Sequence, residues 1–244
     1  KKFIDKMIVL FPFEEKLYRE NGIDVAFVGH PLIHQIDEYK FDTKEDLFNK
    51  HGLDLSKEIL LLLPGSRKQE IEKIFPAIIG GALKVASEFN LQVVVGCADS
   101  INESEFKSYS DASGYKVIKN ITYDLIKYSK LGIIKSGTST LEASLLGLPM
   151  MIVYKTNSLT YLIGKSLVKL KHIGLANIVA GKSVVPELIQ ERVNEVEILK
   201  IARSFLTDTE LYNYTKKELA GIRELLSENH ASEVAAKVIC GSLL

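Results

Sequence analysis

The chain has 244 residues, 46% hydrophobic and 25% charged, a balance typical of a folded protein with a substantial core. Its 31 basic and 31 acidic residues cancel, so no overall field attracts the chain to nucleic acid and any electrostatic role must be local. No apolar run reaches the ~18 residues that suggest a membrane span. Cys97 and Cys240 lie far apart, which predicts buried, reduced thiols in a cytosolic protein rather than a disulfide or a metal site.

The first part of the chain contains two short apolar runs with a helical pattern between them. MIVLF at 7–11 predicts a strand, the next segment a helix that ends at Gly22, and VAFVG at 25–29 a second strand. The opening letters, KKFIDKMIVLF, are typical of mid-domain sequence, with no signal peptide and no initiator Met. We therefore expect residues 1–34 to be the end of an N-terminal domain. The stretch 30–46 has no helical pattern, and we interpret it as a crossover.

The middle of the chain alternates regularly between strands and helices. Apolar runs predict strands at 59–63, 92–96, 115–119, 131–135 and 149–155. Helical patterns follow them near 69–89, 103–112, 122–130, 138–147 and 158–170. Uninterrupted Leu, Ile and Val runs indicate strands buried on both faces, so we predict an α/β fold with a doubly wound, mostly parallel sheet. We assign residues 35–190 to this domain and 191–244 to three C-terminal helical pieces, with Asp208 and Asn229 as N-caps.

Two strand-end loops carry the residue types of an anion site. Ligands in open α/β sheets bind outside the carboxyl ends of the strands, where PGSR (64–67) and SGT (136–138) are expected. Ser136, Gly137 and Thr138 offer backbone N–H groups and a hydroxyl at a helix N-terminus. Gly65, Ser66 and Arg67 add a guanidinium group that can bind phosphate oxygens in pairs.

Glu142, one turn into the helix that follows SGT, can accept two ribose hydroxyl groups, so the set suits a nucleoside diphosphate. Capping and turn chemistry would explain either loop alone, and it is their pairing on neighbouring strands that favours a ligand. The chain has no P-loop, dinucleotide or nucleophile-elbow motif. It has no Asp-x-Asp to hold a bridging metal, and Pro31 disfavours a metal pair of His30 and His34. We expect no metal site.

Residues 143–186 contain no Asp or Glu but five lysines, Lys155, Lys165, Lys169, Lys171 and Lys182. A helical stripe of apolar residues runs through them at Leu159, Leu162, Ile163, Leu167 and Leu170. One interpretation is an amphipathic helix that packs on the core with solvated lysines. The other is a surface that meets anionic lipid or an acylated substrate, for which Lys165 and Lys169 are the candidate contacts.

Four segments together resemble the lipid-A-disaccharide synthase family. They are FVGHPL (27–32), LLPGSRKQEI (62–71), SGTSTLEASLLGLPMMIVYK (136–155) and LVKLKHIGLANIVAGKSVVPELIQ (167–190). The resemblance covers essentially the whole chain but only the C-terminal, donor-binding part of such an enzyme, and residues 1–34 then correspond to the end of its acceptor domain. It implies a GT-B type, metal-independent, inverting glycosyltransferase without a cofactor. The reaction joins UDP-2,3-diacylglucosamine and 2,3-diacylglucosamine 1-phosphate into the lipid A disaccharide 1-phosphate, releasing UDP.

The resemblance also implies roles for individual residues. It carries UDP binding onto the PGSR and SGT loops, Glu142 and Asn177, and we add Gly29, His30 and Tyr123 from the other strand-end loops. Arg67 would stabilise charge on the departing UDP, and the general base is expected in the missing N-terminal part. Lys135 and Ala176 depart from the family pattern, and Lys135 is expected to be a surface residue. The expected setting is the cytoplasmic side of the inner membrane of a Gram-negative-type bacterium, with peripheral attachment and a possible homodimer.

Two other functions stay open. One is a related UDP-sugar enzyme, such as a peptidoglycan N-acetylglucosaminyltransferase or a UDP-GlcNAc 2-epimerase, whose donor pocket would be similar. The other is a nucleotide-binding module without catalysis.

Overall fold

The N-terminal segment forms a small parallel strand pair of its own. The computed structural model describes residues 3–110, 113–157, 171–226 and 230–242. Strand β1 (Met7–Val9) pairs with β2 (Val25–Phe27), and helix α1 (Pro12–Glu20) connects them. Gly22 follows the helix with φ 66°, the left-handed conformation expected of a terminating glycine. Both predicted strands are therefore present, in shorter form.

The predicted crossover over 30–46 is wrong in one respect, because two helices lie in this part of the chain: α2 (Pro31–Glu38) and α3 (Lys44–His51). Pro31 is the first residue of α2, where its missing N–H costs no hydrogen bond. The Thr43 hydroxyl caps α3 by accepting from the Asp46 amide, 3.1 Å away. A proline at a helix start and a threonine cap were the local indications of helix here.

Six parallel strands form the central sheet. They are β3 (Glu58–Leu63), β4 (Leu91–Cys97), β5 (Tyr115–Lys119), β6 (Ser129–Lys135), β7 (Met150–Tyr154) and β8 (Glu187–Ile189). Their order is β5-β4-β3-β6-β7-β8, with every neighbouring pair parallel. The five predicted strands of this sheet are confirmed, and β8 is additional. The strand order reverses between β3 and β6, which is where open α/β sheets bind ligands.

Helices cover both faces of this sheet, so the doubly wound architecture is confirmed. They are α4 (Lys68–Phe89), α5 (Ser104–Tyr109), α6 (Thr122–Tyr128), α7 (Thr138–Leu145), α8 (Leu175–Ala180), α9 (Glu195–Thr207), α10 (Thr209–Leu225) and α11 (Ala231–Ser242). Leu60 and Leu62 point to a core with α4, α5 and α9. Leu61 and Leu63 point to a core with α3, α6, α7 and α10. Alternate residues of one strand thus feed two cores, as period-two geometry requires.

The C-terminal helices pack back onto the sheet layers. Helix α9 lies on α4, where Arg203 forms two 2.8 Å bonds to Glu88. Helix α10 contacts α7 and α8, and Arg223 reaches Asp37 of α2 at 2.5 Å. Asp208 caps α10 as predicted, by accepting from the Leu211 amide. The division of the chain at residues 34 and 190 stays a prediction.

The predictions for the two cysteines and for residues 158–170 and 229 have different outcomes. The thiol of Cys97 is buried as predicted, but Cys240 is exposed, so that prediction is wrong for Cys240. The predicted cap Asn229, the predicted helix over 158–170 with its apolar stripe, and Lys165 and Lys169 lie outside the described residues. Within the residues described, no helix combines the length and the apolar content needed to cross a membrane.

Candidate nucleotide site at the sheet switch point

A cavity of about 260 Å³ opens at the carboxyl ends of β3 and β6, where the strand order reverses. Its wall includes five of the predicted residues, Gly65, Ser66, Arg67, Gly137 and Thr138. The two loops that sequence reasoning paired are therefore brought together in space. This follows from the parallel topology, because β3 and β6 are hydrogen-bonded neighbours that end at the same edge.

Gly65 allows the first loop to fold tightly against α4. Its φ of 132° is one that side-chain-bearing residues rarely adopt. A Cβ atom on Gly65 would meet the Glu70 Oε2 and Cβ atoms at 2.5 and 2.7 Å. With glycine there, the Ser66 amide donates to Glu70 Oε2 at 3.1 Å. The glycine thus permits a close approach of backbone and carboxylate in the cavity wall.

Arg67 is the residue that precedes α4, with an extended backbone (φ −121°, ψ 142°). Its side chain is 81% exposed, and Nη1 lies 3.5 Å from Glu70 Oε1. An exposed ion pair of this length holds the guanidinium group weakly. Arg67 therefore stands at the cavity with most of its donors free to turn toward an anion.

Lys135 is not the plain surface residue that was expected. It is the last residue of β6, its side chain is only 22% exposed, and it lines the same cavity. Its Nζ donates to Glu70 Oε1 at 2.9 Å. Burial alone would raise the pKa of Glu70, but the bond and charge of Lys135, the Ser66 amide and Arg67 hold the pKa below its usual range.

Helix α7 begins at this cavity with uncapped amides. Gly137 precedes the helix in an extended conformation, and no side chain caps the first turn. The first-turn N–H groups and the helix dipole thus present positive charge to the cavity. The Ser136 hydroxyl donates to the Ile173 carbonyl at 2.7 Å, which ties this loop to the segment before α8. The phosphate contact predicted for Ser136 stays a prediction.

A second cavity, of about 330 Å³, adjoins the first and shares Thr122 and Ser139 with it. Tyr39, Tyr123 and Glu142 also line it. Burial raises the pKa of Glu142, and burial followed by the charge of Glu142 raises that of Tyr123. The two predicted residues Tyr123 and Glu142 are thus brought together beside the loop cavity, in line with a ligand longer than one phosphate group.

Tyr39 and Asp124 shape this second cavity, and sequence reasoning did not single them out. The Tyr39 hydroxyl donates to Asp124 Oδ2 at 2.5 Å, and the Asp42 amide donates to Oδ1 at 2.9 Å. Asp124 is 1% exposed. The rings of Tyr39 and Tyr123 meet edge to face with centroids 5.1 Å apart. The carboxylate of Asp124 directly before the apolar pair Leu125 and Ile126 was the available indication.

Besides Ser136, three predicted residues lie outside both cavities. Gly29 has φ 90° and precedes His30, which is buried and accepts at Nδ1 from the Leu32 amide at 3.2 Å. Burial lowers the pKa of His30. Asn177, fully buried in α8, donates to the Val185 carbonyl and Glu187 and accepts from the Val184 and Val185 amides. The UDP contacts assigned to these three residues stay predictions.

The described residues contain no group of three or more His, Cys, Asp or Glu side chains placed to hold a metal ion. The groups of the first cavity that can bind an anion are the Arg67 guanidinium, the Lys135 ammonium and the amides of α7.

Fold and site define a GT-B-like α/β domain, the class found in glycosyltransferases and UDP-sugar epimerases. A Staphylococcus aureus structure titled MnaA-UDP co-structure aligns over 98% of this chain and 60% of its own, with a TM-score of 0.66 and 15% identity. A UDP-GlcNAc 2-epimerase from Neisseria meningitidis bound to UDP-GlcNAc aligns over 97% and 62%, with a TM-score of 0.65 and 15% identity. At such identities the likeness establishes the fold.

Sequence comparison identifies the family. Residues 1–239 match the lipid-A-disaccharide synthetase family, and the chain belongs to it. The lipid-A-disaccharide synthase of Syntrophus aciditrophicus is 36% identical over 96% of this chain and 61% of its own length. That of Geobacter metallireducens is 35% identical over 98% and 62%. The chain thus spans about three fifths of the length of these relatives.

Proposed function

We infer that the chain is the donor-binding part of an inverting glycosyltransferase of lipid A biosynthesis. The proposed reaction transfers 2,3-diacylglucosamine from UDP to 2,3-diacylglucosamine 1-phosphate, giving the disaccharide 1-phosphate and UDP. The observation that carries the proposal is the cavity at the switch point, where the PGSR loop and the start of α7 meet and adjoin the pocket of Glu142. Family membership and the names of the relatives support the same reaction.

The two cavities suggest how UDP would lie. The diphosphate would occupy the first cavity, between Arg67 and the amides of Gly137 and Thr138. The ribose would extend into the second, where the Glu142 carboxylate can accept from its hydroxyl groups. The shared wall at Thr122 and Ser139 allows one ligand to span both.

This arrangement would serve catalysis by stabilising the leaving group. As the glycosidic bond to UDP breaks, negative charge grows on the β-phosphate, and fixed donors there lower the energy of the transition state more than that of the ground state. The amides of α7 are fixed by the helix, and the exposed Arg67 guanidinium would add a charge-assisted bond. The proposal assigns no step to a metal ion and places the general base outside this chain.

The test is UDP binding by an Arg67→Ala variant, measured by calorimetry. Losing a charge-assisted hydrogen bond of roughly 1.5–3 kcal/mol should weaken UDP binding roughly 10- to 150-fold. Arg19→Ala, which removes a comparably exposed arginine from α1, is the matched control and should bind as wild type does. Equal UDP affinity of Arg67→Ala and wild type would remove Arg67 from the site.

A second candidate is an enzyme of the UDP-GlcNAc 2-epimerase type, because solved structures with that title share the fold. The higher identity to the disaccharide synthases, 35–36% against 15%, favours the first candidate. Incubation of the protein with UDP-GlcNAc separates the two, since epimerisation would yield UDP-ManNAc. UDP binding with neither epimerisation nor disaccharide formation would fit a non-catalytic binding module, or a donor-binding part that needs its acceptor domain.

The proposed substrates are phosphorylated lipids, so the proposal includes peripheral attachment to the cytoplasmic face of an anionic inner membrane. The basic, acid-free stretch 143–186 supports it. Lys182 contributes less than its charge suggests, because it pairs with Glu218 of α10. The candidates Lys165 and Lys169 lie outside the described residues. A homodimer stays part of the proposal, testable by light scattering of the purified protein.

A further inference from the structure

Glu70, in the first turn of α4, gathers three donors at the wall of the first cavity. The Ser66 amide lies 3.1 Å from its Oε2, Lys135 Nζ 2.9 Å from Oε1, and Arg67 Nη1 3.5 Å from Oε1. A backbone amide, an ammonium and a guanidinium are the donors with which proteins commonly bind phosphate groups. The single negative charge of the Glu70 carboxylate therefore gathers a set of donors that could also bind an anion of higher charge.

Lys135 joins the two loops of this cavity. Its backbone ends β6 immediately before the SGT loop, while its side chain reaches α4 through Glu70. The Nζ atom lies 3.6 Å from the position that a Cβ atom of Gly137 would occupy. The ammonium group is thus beside the start of α7, within reach of the space that the amides of Gly137 and Thr138 face.

A lysine is electrostatically misplaced at this end of a helix. The N-terminus of α7 carries partial positive charge, which repels a cation and attracts an anion. Lys135 and Arg67 together bring two positive charges to the cavity, and Glu70 compensates one of them. A purely structural role for the Lys135–Glu70 ion pair, connecting β6 to α4, does not explain why a cation lies beside the positive end of α7.

We propose that Lys135 is a second cationic ligand of the nucleotide's diphosphate, and that Glu70 is the residue that positions it between the two loops. The inference rests on the proposed function. A diphosphate carries more negative charge than Glu70 and would accept from Lys135 and Arg67 at once, so the pair selects a diphosphate over a monophosphate or a neutral nucleoside.

The experiment compares Lys135→Met with wild type in titrations with UDP, UMP and uridine. Methionine keeps most of the length and the apolar stem but removes the charge. Affinity for UDP should fall roughly 10- to 150-fold, as for loss of a charge-assisted bond, with a smaller loss for UMP and none for uridine. The dependence of UDP affinity on salt should also weaken, because one charge has left the site. Lys135→Arg should retain most of the affinity.

Lys73→Met is the matched control, because Lys73 is exposed on α4 and its replacement changes the net charge equally. It should bind all three ligands as wild type does. A double-mutant cycle tests Glu70: in a Glu70→Gln background, Lys135→Met should lower UDP affinity by a smaller factor than in wild type. Additive effects of the two substitutions would refute the positioning role.

The binding results distinguish failure of the Lys135 proposal from failure of the proposed function. Wild-type UDP affinity in Lys135→Met would overturn the Lys135 proposal while leaving a nucleotide site at Arg67 intact. Equal losses for UDP, UMP and uridine would also overturn it, since they would report damage to the fold. If wild type binds none of the three ligands at millimolar concentration, the proposed function fails and the Lys135 inference fails with it.

Discussion

The charge of the Glu142 carboxylate has opposite effects on stability and on the proposed ligand binding. It lies half-buried in α7 beside Tyr123, and burial raises its pKa. An acid with a raised pKa in the folded state is destabilising when charged. At pH values above its folded-state pKa the protein pays the full desolvation penalty, and below the unfolded-state pKa the penalty disappears. A carboxylate kept at such a site is consistent with a ligand that needs its charge.

Glu142→Gln should therefore change stability and binding in opposite directions. We expect the free energy of unfolding to be higher than that of wild type at pH 8 and equal to it at pH 3.5, by denaturant titration. UDP affinity at pH 8 should fall roughly 10- to 150-fold, because the charge-assisted bonds to the ribose are lost. Glu72→Gln, an exposed change on α4, serves as the control. Unaltered UDP affinity in Glu142→Gln would argue against the ribose assignment.

At the level of residues, the sequence predicted which loops meet at the site, because the backbone topology determines this. It did not predict side-chain environments that depend on partners distant in the chain. Gly65, Arg67, Gly137 and Thr138 were identified because parallel strands end at one edge, which brings their loops together. Lys135 was misjudged because its environment depends on Glu70, distant in the chain. Tyr39 was missed for the same reason, since its partner Asp124 belongs to α6, which follows three more strands in the chain.

Among the elements, α8 and β8 are short, and side-chain hydrogen bonds hold them in place. Asn177 uses both amide hydrogens and accepts two backbone amides, while Glu187 accepts from the Ile173 and Gly174 amides at 3.1 and 3.0 Å. The Ser136 hydroxyl binds the carbonyl of Ile173. Through Ile173, the α8–β8 unit thus holds the SGT loop in position.

Asn177→Ala should destabilise the protein by about 1–3 kcal/mol, because buried backbone amides and a carboxylate lose their partners. Chemical denaturation measures this loss, with Asn49→Ala, an exposed change on α3, as the control. UDP affinity should change much less than in Arg67→Ala. A loss of UDP affinity as large as that of Arg67→Ala, without a loss of stability, would instead favour the direct UDP contact first predicted for Asn177.

Strands buried on both faces were predictable, whereas short elements on the periphery were not. The runs that became β3, β4, β6 and β7 are largely apolar and are spaced by helices, a pattern typical of parallel α/β sheets. Strand β8 has only three residues, Glu187–Ile189, and the polar Gln190 follows it, so no long apolar run marks the strand. Its place is set by pairing with β7, a tertiary contact that single-sequence patterns do not contain.

For the molecule as a whole, the proposed attachment to a membrane would have to come from local charge, because the net charge is zero. Charge reversal at Lys165 and Lys169 should lower binding to anionic vesicles by at least about 30-fold at low salt, at about 1 kcal/mol per lysine. High salt should remove the difference, and UDP affinity should stay unchanged.

Reversal at Lys73 and Lys107 gives the same net charge at two exposed positions of α4 and α5 and is the control for vesicle binding. If the Lys165 and Lys169 double variant binds vesicles as tightly as wild type at low salt, those lysines are ordinary solvated side chains. The bland interpretation of the apolar stripe from Leu159 to Leu170, an amphipathic helix that packs on the core, would then be favoured.

The edges of the central sheet have a consequence for how the protein behaves at high concentration. Strand β5 forms one edge, and its exposed Lys116 donates to the carbonyls of His51 and Gly52 at the end of α3, so a charged side chain lies across this edge. Strand β8 forms the other edge, with only three residues between Pro186 and Gln190. A foreign strand would meet the charged Lys116 side chain at β5 and could pair with only three residues at β8. The sheet is therefore protected against edge-to-edge aggregation by built-in features of its two outermost strands.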